Sequence, residues 1–233
     1  MTMDNALSES RRETALLEAQ ARAEALFDEV SRSQIIRPHA LESEVNEAVH
    51  ALASERFGIA KHWHKRIVRA GLNTLEPYKE NPPDRRIDED DIVFLDLGPV
   101  FGEWEADFGR TYVIGTDPDK QRLGSDVATV FHSGKKYFQE HPEVTGAELF
   151  AHVELLTREA GWEVGISHAG HLIGEFPHQK IADDKALSYI HPANIMPLRR
   201  LDLFGRRCHW ILEIHLVHRE KQIGAFFEEL VSI

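Results

Sequence analysis

Five side chains able to bind metal, Asp96, Asp107, His171, Glu213 and Glu228, each stand in a strand-like or glycine-flanked setting. The carriers are Ile92-Val-Phe-Leu-Asp96-Leu-Gly98, Ala106-Asp107-Phe-Gly-Arg110-Thr111, Gly170-His171-Leu-Ile-Gly174, Ile211-Leu-Glu213-Ile214 and Phe226-Phe-Glu228-Glu229-Leu230. Each plants an ionisable group among apolar or small neighbours, where an unpaired charge is expensive. Clustered carboxylates cannot neutralise one another, so they need a counter-charge. Two divalent cations would match the charge of the four carboxylates. A set of Asp and Glu with one His is harder than thiolate sets, and it suits Mn, Co, Fe or Zn in a catalytic pair.

Spacing supports the first pair. Residues 92–101 and 106–114 are rich in β-formers and are separated by Gly102-Glu-Trp-Glu105, which reads as a hairpin connection. A reversal near Gly102 predicts Asp96 and Asp107 nearly opposite each other, with Cβ atoms about 5 Å apart. Either Asp taken alone also fits an edge or turn residue paired with Arg110, the commoner fate of a lone Asp. The three later stretches tip the balance toward a metal site.

The order of these motifs resembles the M24 metallopeptidases, the pita-bread family of methionine aminopeptidases, prolidases, aminopeptidase P and creatinase. The resemblance rests on Asp96 in a hydrophobic-Asp-hydrophobic-Gly strand, Asp107 eleven residues on with Arg110-Thr111, and Gly170-His171-Leu-Ile-Gly174 with His178; Glu213 and Glu228 complete it. It runs from about Leu41 to the C-terminus. It implies an α+β pita-bread fold: an antiparallel sheet with helices on one side and pseudo-two-fold halves. It implies two divalent ions, with Asp96 on one, Asp107 and Glu228 bridging, and His171 and Glu213 on the other. His178 and Glu213 become the catalytic residues, His178 binding the substrate carbonyl or oxyanion and Glu213 taking the proton of a metal-bridging water. The implied activity is an aminopeptidase or Xaa-Pro dipeptidase. The alternative is an M24-fold protein acting on a small amide or C–N bond, or a binding module that has lost catalysis.

Departures from the family motivate that alternative. The family's proton-shuttle histidine falls by spacing at or near Tyr78, so it is missing, shifted or replaced from His62-Trp63-His64, with His215 a further candidate. After Glu213 this chain has Ile214-His215 where relatives carry Pro-Gly. Tyr78, His64 and His168 are expected to line the substrate pocket. Strand alternation lets only one of Glu228 and Glu229 face the site.

At 233 residues and 42% hydrophobic, the chain fits one domain over 1–233, with 1–38 an N-terminal helix and connection and no separate creatinase-type N-terminal domain. A net charge of −12 argues against nucleic acid or anionic membrane, both of which need a basic face. Peptides or small amides remain as partners, with a homodimer open. The single Cys208, read as a buried apolar residue, excludes a disulfide framework; no stretch reaches the ~20 apolar residues of a membrane span. A cytoplasmic address is the default expectation.

Leu16, Ala19, Ala23, Leu26, Phe27 and Val30 recur at helical spacing within residues 8–30. A second helix starts near Leu41 with Val45, Ala48, Val49 and Leu52 inward and stops at Gly58. Asp117-Pro118 opens a third, striped by Leu123, Val127, Val130, Phe131 and Phe138 and ended by His141-Pro142. Thr145-Gly-Ala-Glu148 is a capping box for a fourth, which Gly161 terminates.

Overall fold

The apolar stripes become the inner faces of four helices: α1 (Met3–Arg32), α2 (Glu42–Phe57), α3 (Pro118–Glu140) and α4 (Gly146–Glu159). The computed structural model describes residues 3–76, 78–178 and 185–233, with side chains from Ser8 onward except at 185. The stripe predicted for α1 is buried throughout. Asp117 caps α3 by accepting from the Asp119 and Lys120 N–H groups, and Thr145 and Glu148 form the expected box at α4. Gly58, in the left-handed conformation at φ 66°, closes α2. The inner face of α2 departs from expectation, since Ala53 and the carboxylate of Glu42 are buried with Val45 and Val49. Glu42 accepts from the Ala70 N–H at 2.6 Å and from Asn73 Nδ2 at 2.8 Å, so a charged residue joins the helix to the sheet.

The strands are β1 (Ile67–Ala70), β2 (Asp91–Leu97), β3 (Val100–Phe101), β4 (Trp104–Glu105), β5 (Phe108–Ile114), β6 (Glu163–Val164), β7 (Leu172–Ile173), β8 (His209–His218) and β9 (Ile223–Leu230). Among the described residues one antiparallel sheet runs β1-β2-β5-β9-β8-β6, with β7 on β8, and β3-β4 form a separate ribbon. Alternation along each strand sends successive side chains to opposite faces. On one face Val93, Leu95, Leu97 and Phe108 pack with Ala23, Leu26 and Phe27 of α1 and Val45 and Val49 of α2. Leu212, Ile214 and Phe227 pack with Leu123, Val127 and Phe131 of α3 and Leu149 and Val153 of α4. Each half of the sheet thus carries its own helix pair and its own core. The N-terminal helix is also tied to β8 through buried Glu9, which meets His209 Nε2 at 3.0 Å and is paired within its own helix with Arg12 Nη1 at 2.9 Å.

The register corrects one expectation. Asp96 pairs with Gly109 rather than standing opposite Asp107, which lies two residues earlier. The physical reason is where the chain turns: β3 and β4 continue the β2-β5 pairing in one register, and the reversal falls at Gly102-Glu103, one position past the turn that would set Asp96 opposite Asp107.

Candidate metal centre

Backbone register lines up the acidic residues across four strands. Asp96 on β2 pairs with Gly109 on β5, Gly109 with Glu228 on β9, and Glu228 with Glu213 on β8. Directly opposed residues share a face, so these carboxylates, with Asp107 two positions before Gly109, point away from the helices. Gly109 keeps the row open. A Cβ there would lie 2.5 Å from the Phe226 ring and 3.1 Å from Glu228 Cβ.

Only one register pair joins β5 to β9, and the Arg110-Thr111 that follows Gly109 replaces the missing ladder. Thr111 Oγ1 donates to the Phe226 carbonyl at 2.8 Å and accepts from the Phe226 N–H at 2.7 Å. Arg110 donates to the Glu228 carbonyl at 3.1 Å, lies between the Phe108 and Phe227 rings at 3.8 Å from each, and pairs with Glu229. Arg110 therefore serves neither Asp, and Glu229 faces away from the row that contains Glu228.

Two histidines approach Asp107 from different segments. His171 Nε2 is 3.0 Å from Asp107 Oδ2 and 3.8 Å from Glu228 Oε1, with Nδ1 against the Leu172 carbonyl at 2.9 Å. His64 Nε2 is 3.0 Å from Asp107 Oδ1 and 3.5 Å from Asp96 Oδ1, with Nδ1 against the Lys65 carbonyl at 2.7 Å. Among the described residues two groups with metal-ligand spacing result, His64-Asp96-Asp107 and Asp107-His171-Glu228, and they share Asp107. Glu213 lies outside both groups, and its Oε1 is 2.6 Å from His168 Nδ1.

The electrostatics are those of crowded buried acids. Burial raises Asp96 to about 7; the Asp107 and Glu213 charges add to this, while the charge of His64 opposes it. Burial also raises Glu228 well above the carboxylate range, reinforced by Asp107, Asp96 and Glu213. Burial acts the same way on Asp107, but the His64 charge and the hydrogen bonds from His171 and His64 win, so its acidity is strengthened. For both histidines burial favours the neutral ring and is outweighed by the acids, which raise His64 to about 10 and His171 to about 9. Asp96 Oδ1 and Glu228 Oε2 are buried with no hydrogen-bond partner, and Glu213 Oε1, although 2.6 Å from His168 Nδ1, makes no aligned hydrogen bond with it. A buried anionic oxygen without a donor is costly, and a cation is the partner that a carboxylate-and-imidazole set of this hardness accepts. The residues present fit divalent metal.

The remaining expected residues sit around this row. His178 lies beside it, its ring 6.4 Å from that of His171 and nearly parallel, and its Nδ1 is 2.7 Å from Glu105 Oε2. His168 touches Glu213 and packs on Tyr189 with ring centroids 4.7 Å apart. Tyr78 is at the exposed rim, its hydroxyl accepting from the Lys65 N–H at 3.3 Å and its ring 5.8 Å from that of His64. Of the substitute histidines only His64 reaches the acids: His62 pairs with His50 at 6.0 Å, and His215 Nε2 donates to the Thr74 carbonyl at 2.8 Å. Three further residues complete the surroundings. Trp63 fixes its indole on the Ala106 carbonyl at 3.0 Å and contacts the rings of His64, His171 and His178. Gly98 makes room for it, since a Cβ there would fall 2.2 Å from His64 Cδ2 and 2.5 Å from Trp63 Nε1. The third is Glu105, whose signal was a glutamate two residues before the ligand Asp in an extended chain.

Comparison with known proteins identifies the family and the fold. A 115-residue stretch is 30% identical to the Xaa-Pro dipeptidase of Pyrococcus furiosus, covering 48% of this chain and 32% of that protein. The fold matches prolidase from Thermococcus sibiricus at TM-score 0.75 and 19% identity, over 95% of this chain and 56% of that one. It matches methionine aminopeptidase from Rickettsia prowazekii at TM-score 0.70 and 15% identity, over 95% of this chain and 92% of that one. The chain thus spans little more than half of the prolidase and nearly all of the methionine aminopeptidase. No helix among the described residues is long and apolar enough to cross a membrane. The model of metallopeptidase family M24 matches residues 14–232, and the chain belongs to that family, with its α+β pita-bread fold.

Proposed function

We propose that this chain is a dinuclear metal-dependent hydrolase that cleaves an N-terminal peptide bond, as an aminopeptidase or Xaa-Pro dipeptidase. The observation that carries the reading is the acidic row Asp96, Glu228 and Glu213 with Asp107 common to two ligand groups, the buried Asp96 Oδ1 and Glu228 Oε2 making no hydrogen bond. Asp96, Asp107, His171, Glu213 and Glu228 would hold the ions, which are Mn, Co, Fe or Zn on the hardness of that set. When bound, such ions polarise the scissile carbonyl and lower the pKa of water. The chain's own groups do the rest. Glu213, with His168 Nδ1 2.6 Å from its Oε1, is the acceptor for the proton of the attacking water. His178 binds the substrate oxygen from beside the row. His64, 3.0 Å from Asp107, takes the place of the shuttle histidine that Tyr78 displaces and carries a proton toward the leaving nitrogen. A cleft of about 240 Å³ lined by His178, Ile173, Phe176 and Arg12 opens on the side of His178, and none of the acidic row lines it. The Xaa-Pro preference is supported by the named activity of the curated relatives, and a cytoplasmic setting belongs to the same proposal.

The test is hydrolysis by protein supplied with Mn or Co, across Xaa-Pro dipeptides, Met-initiated peptides and small amidines. Release of the N-terminal residue, abolished by His171→Ala, is the expected result. Bound metal without turnover on any of the three classes would instead make the chain a binding module on this fold.

A further inference from the structure

Glu105 ends the short strand β4, and two links clamp that strand to the segment carrying His178. The Glu105 N–H donates to the Gly174 carbonyl at 3.1 Å, and the Phe176 N–H donates to the Glu103 carbonyl at 2.7 Å. The Glu105 side chain, only 1% exposed, then divides its two oxygens between two donors on one residue. Oε1 accepts from the His178 backbone N–H at 3.0 Å, and Oε2 faces His178 Nδ1 at 2.7 Å. The Trp63 ring lies 5.3 Å from that of His178 at 81°, and the His171 ring lies nearly parallel to it at 6.4 Å.

An ionised carboxylate only accepts, so the ring nitrogen facing it must bear hydrogen. We propose that Glu105 is a positioning residue whose carboxylate holds a proton on His178 Nδ1 and leaves Nε2 as the ring nitrogen presented to substrate. The word substrate rests on the hydrolase reading above; the place of the proton does not. The arrangement follows a general rule for histidines at working sites, where the bond made by one nitrogen decides what the other can do. In sequence terms, Glu105 and Asp107 are alternate residues of one extended stretch, so a single segment orients His178 with its first acid and supplies the metal row with its second.

The exchange Glu105→Gln tests this through a constraint peculiar to the amide, which has one accepting oxygen and one donating NH₂. The His178 backbone N–H can only donate, so it takes the amide oxygen. The NH₂ is left facing Nδ1, which must give up its hydrogen and accept. The ring proton moves to Nε2. Long-range ¹H–¹⁵N correlation spectra of the ¹⁵N-labelled full chain read this directly, with His178→Asn assigning the resonances by their loss. The expected result is a protonated Nδ1 in the natural protein and a bare Nδ1 in Glu105→Gln. A bare Nδ1 in the natural protein overturns the proposal even if the variant does not fold, and so does an Nδ1 protonated alike in both. In Xaa-Pro dipeptide hydrolysis the variant should lose about tenfold or more in kcat, at unchanged ion content. Loss of bound ions, or a change in KM alone, would make Glu105 a general structural support and overturn its assigned role. Absence of turnover in the natural protein would count against the hydrolase reading, while the spectra still decide the position of the proton.

Discussion

Asp107 is approached at one oxygen by His64 and at the other by His171, from segments far apart in the chain. That division makes the two histidines unequal. His171 sits with Glu228 as well as Asp107, whereas His64 is packed under Tyr78 and Trp63 at the edge of the row. On the proposed assignment, His64→Ala lowers kcat on a cleaved peptide by about 10²-fold, the usual contribution of a positioned proton carrier, and leaves the bound metal unchanged. Parallel kinetics and metal analysis check this; loss of one ion would make His64 a ligand instead. The four acids and His171 were legible because each is an ionisable group in an apolar motif. His64 was legible only as one of several substitutes, since nothing local says that a residue forty-three positions before Asp107 returns to it. Glu105 read as a turn residue because its partner is seventy-three positions away.

At the scale of elements, helix faces and caps could be read ahead because they depend on neighbours within a few residues, as the α1 stripe and the Thr145-Glu148 box illustrate. Register could not, because it depends on where the chain turns: the reversal falls at Gly102-Glu103, and the β3-β4 ribbon built on that turn is itself held by the 174–178 segment. The buried Glu42 belongs to the same class. Its position is set by Ala70, Asn73 and Arg85, all from beyond its own helix. Burial raises its pKa, opposed first by the hydrogen bond from Asn73. Glu42→Ala strands the buried Ala70 N–H and is expected to cost about 2 kcal/mol. Urea unfolding of wild type and variant at one pH measures it, and a midpoint unchanged by the substitution would show that the join between α2 and β1 does not depend on this carboxylate.

Across the whole molecule, each core belongs to one half of the sheet, and the acidic row spans the seam between them. Stability and site chemistry therefore separate, and titration of a histidine off the site reports on the former. Burial lowers His62 to about 4, with the positive charges of Arg66, His50 and His64 adding to it. Above pH 6.5 His62 is neutral in both folded and unfolded chains. As pH falls from there toward 4 the unfolded chain takes up a proton that the folded one refuses, so stability declines over that window. His62→Gln should flatten the decline, seen as a smaller difference between urea midpoints at pH 7 and pH 5. Equal differences in the two proteins would assign the acid sensitivity elsewhere.

The central claim is that the acidic row is a two-ion site with Asp107 common to both halves. Calorimetric titration of the purified chain with Mn(II) tests it most directly, alongside the Asp107→Ala variant. The account predicts two ions per chain and the loss of both in the variant. A chain that binds no ion, or an Asp107→Ala variant that binds two as before, would contradict it.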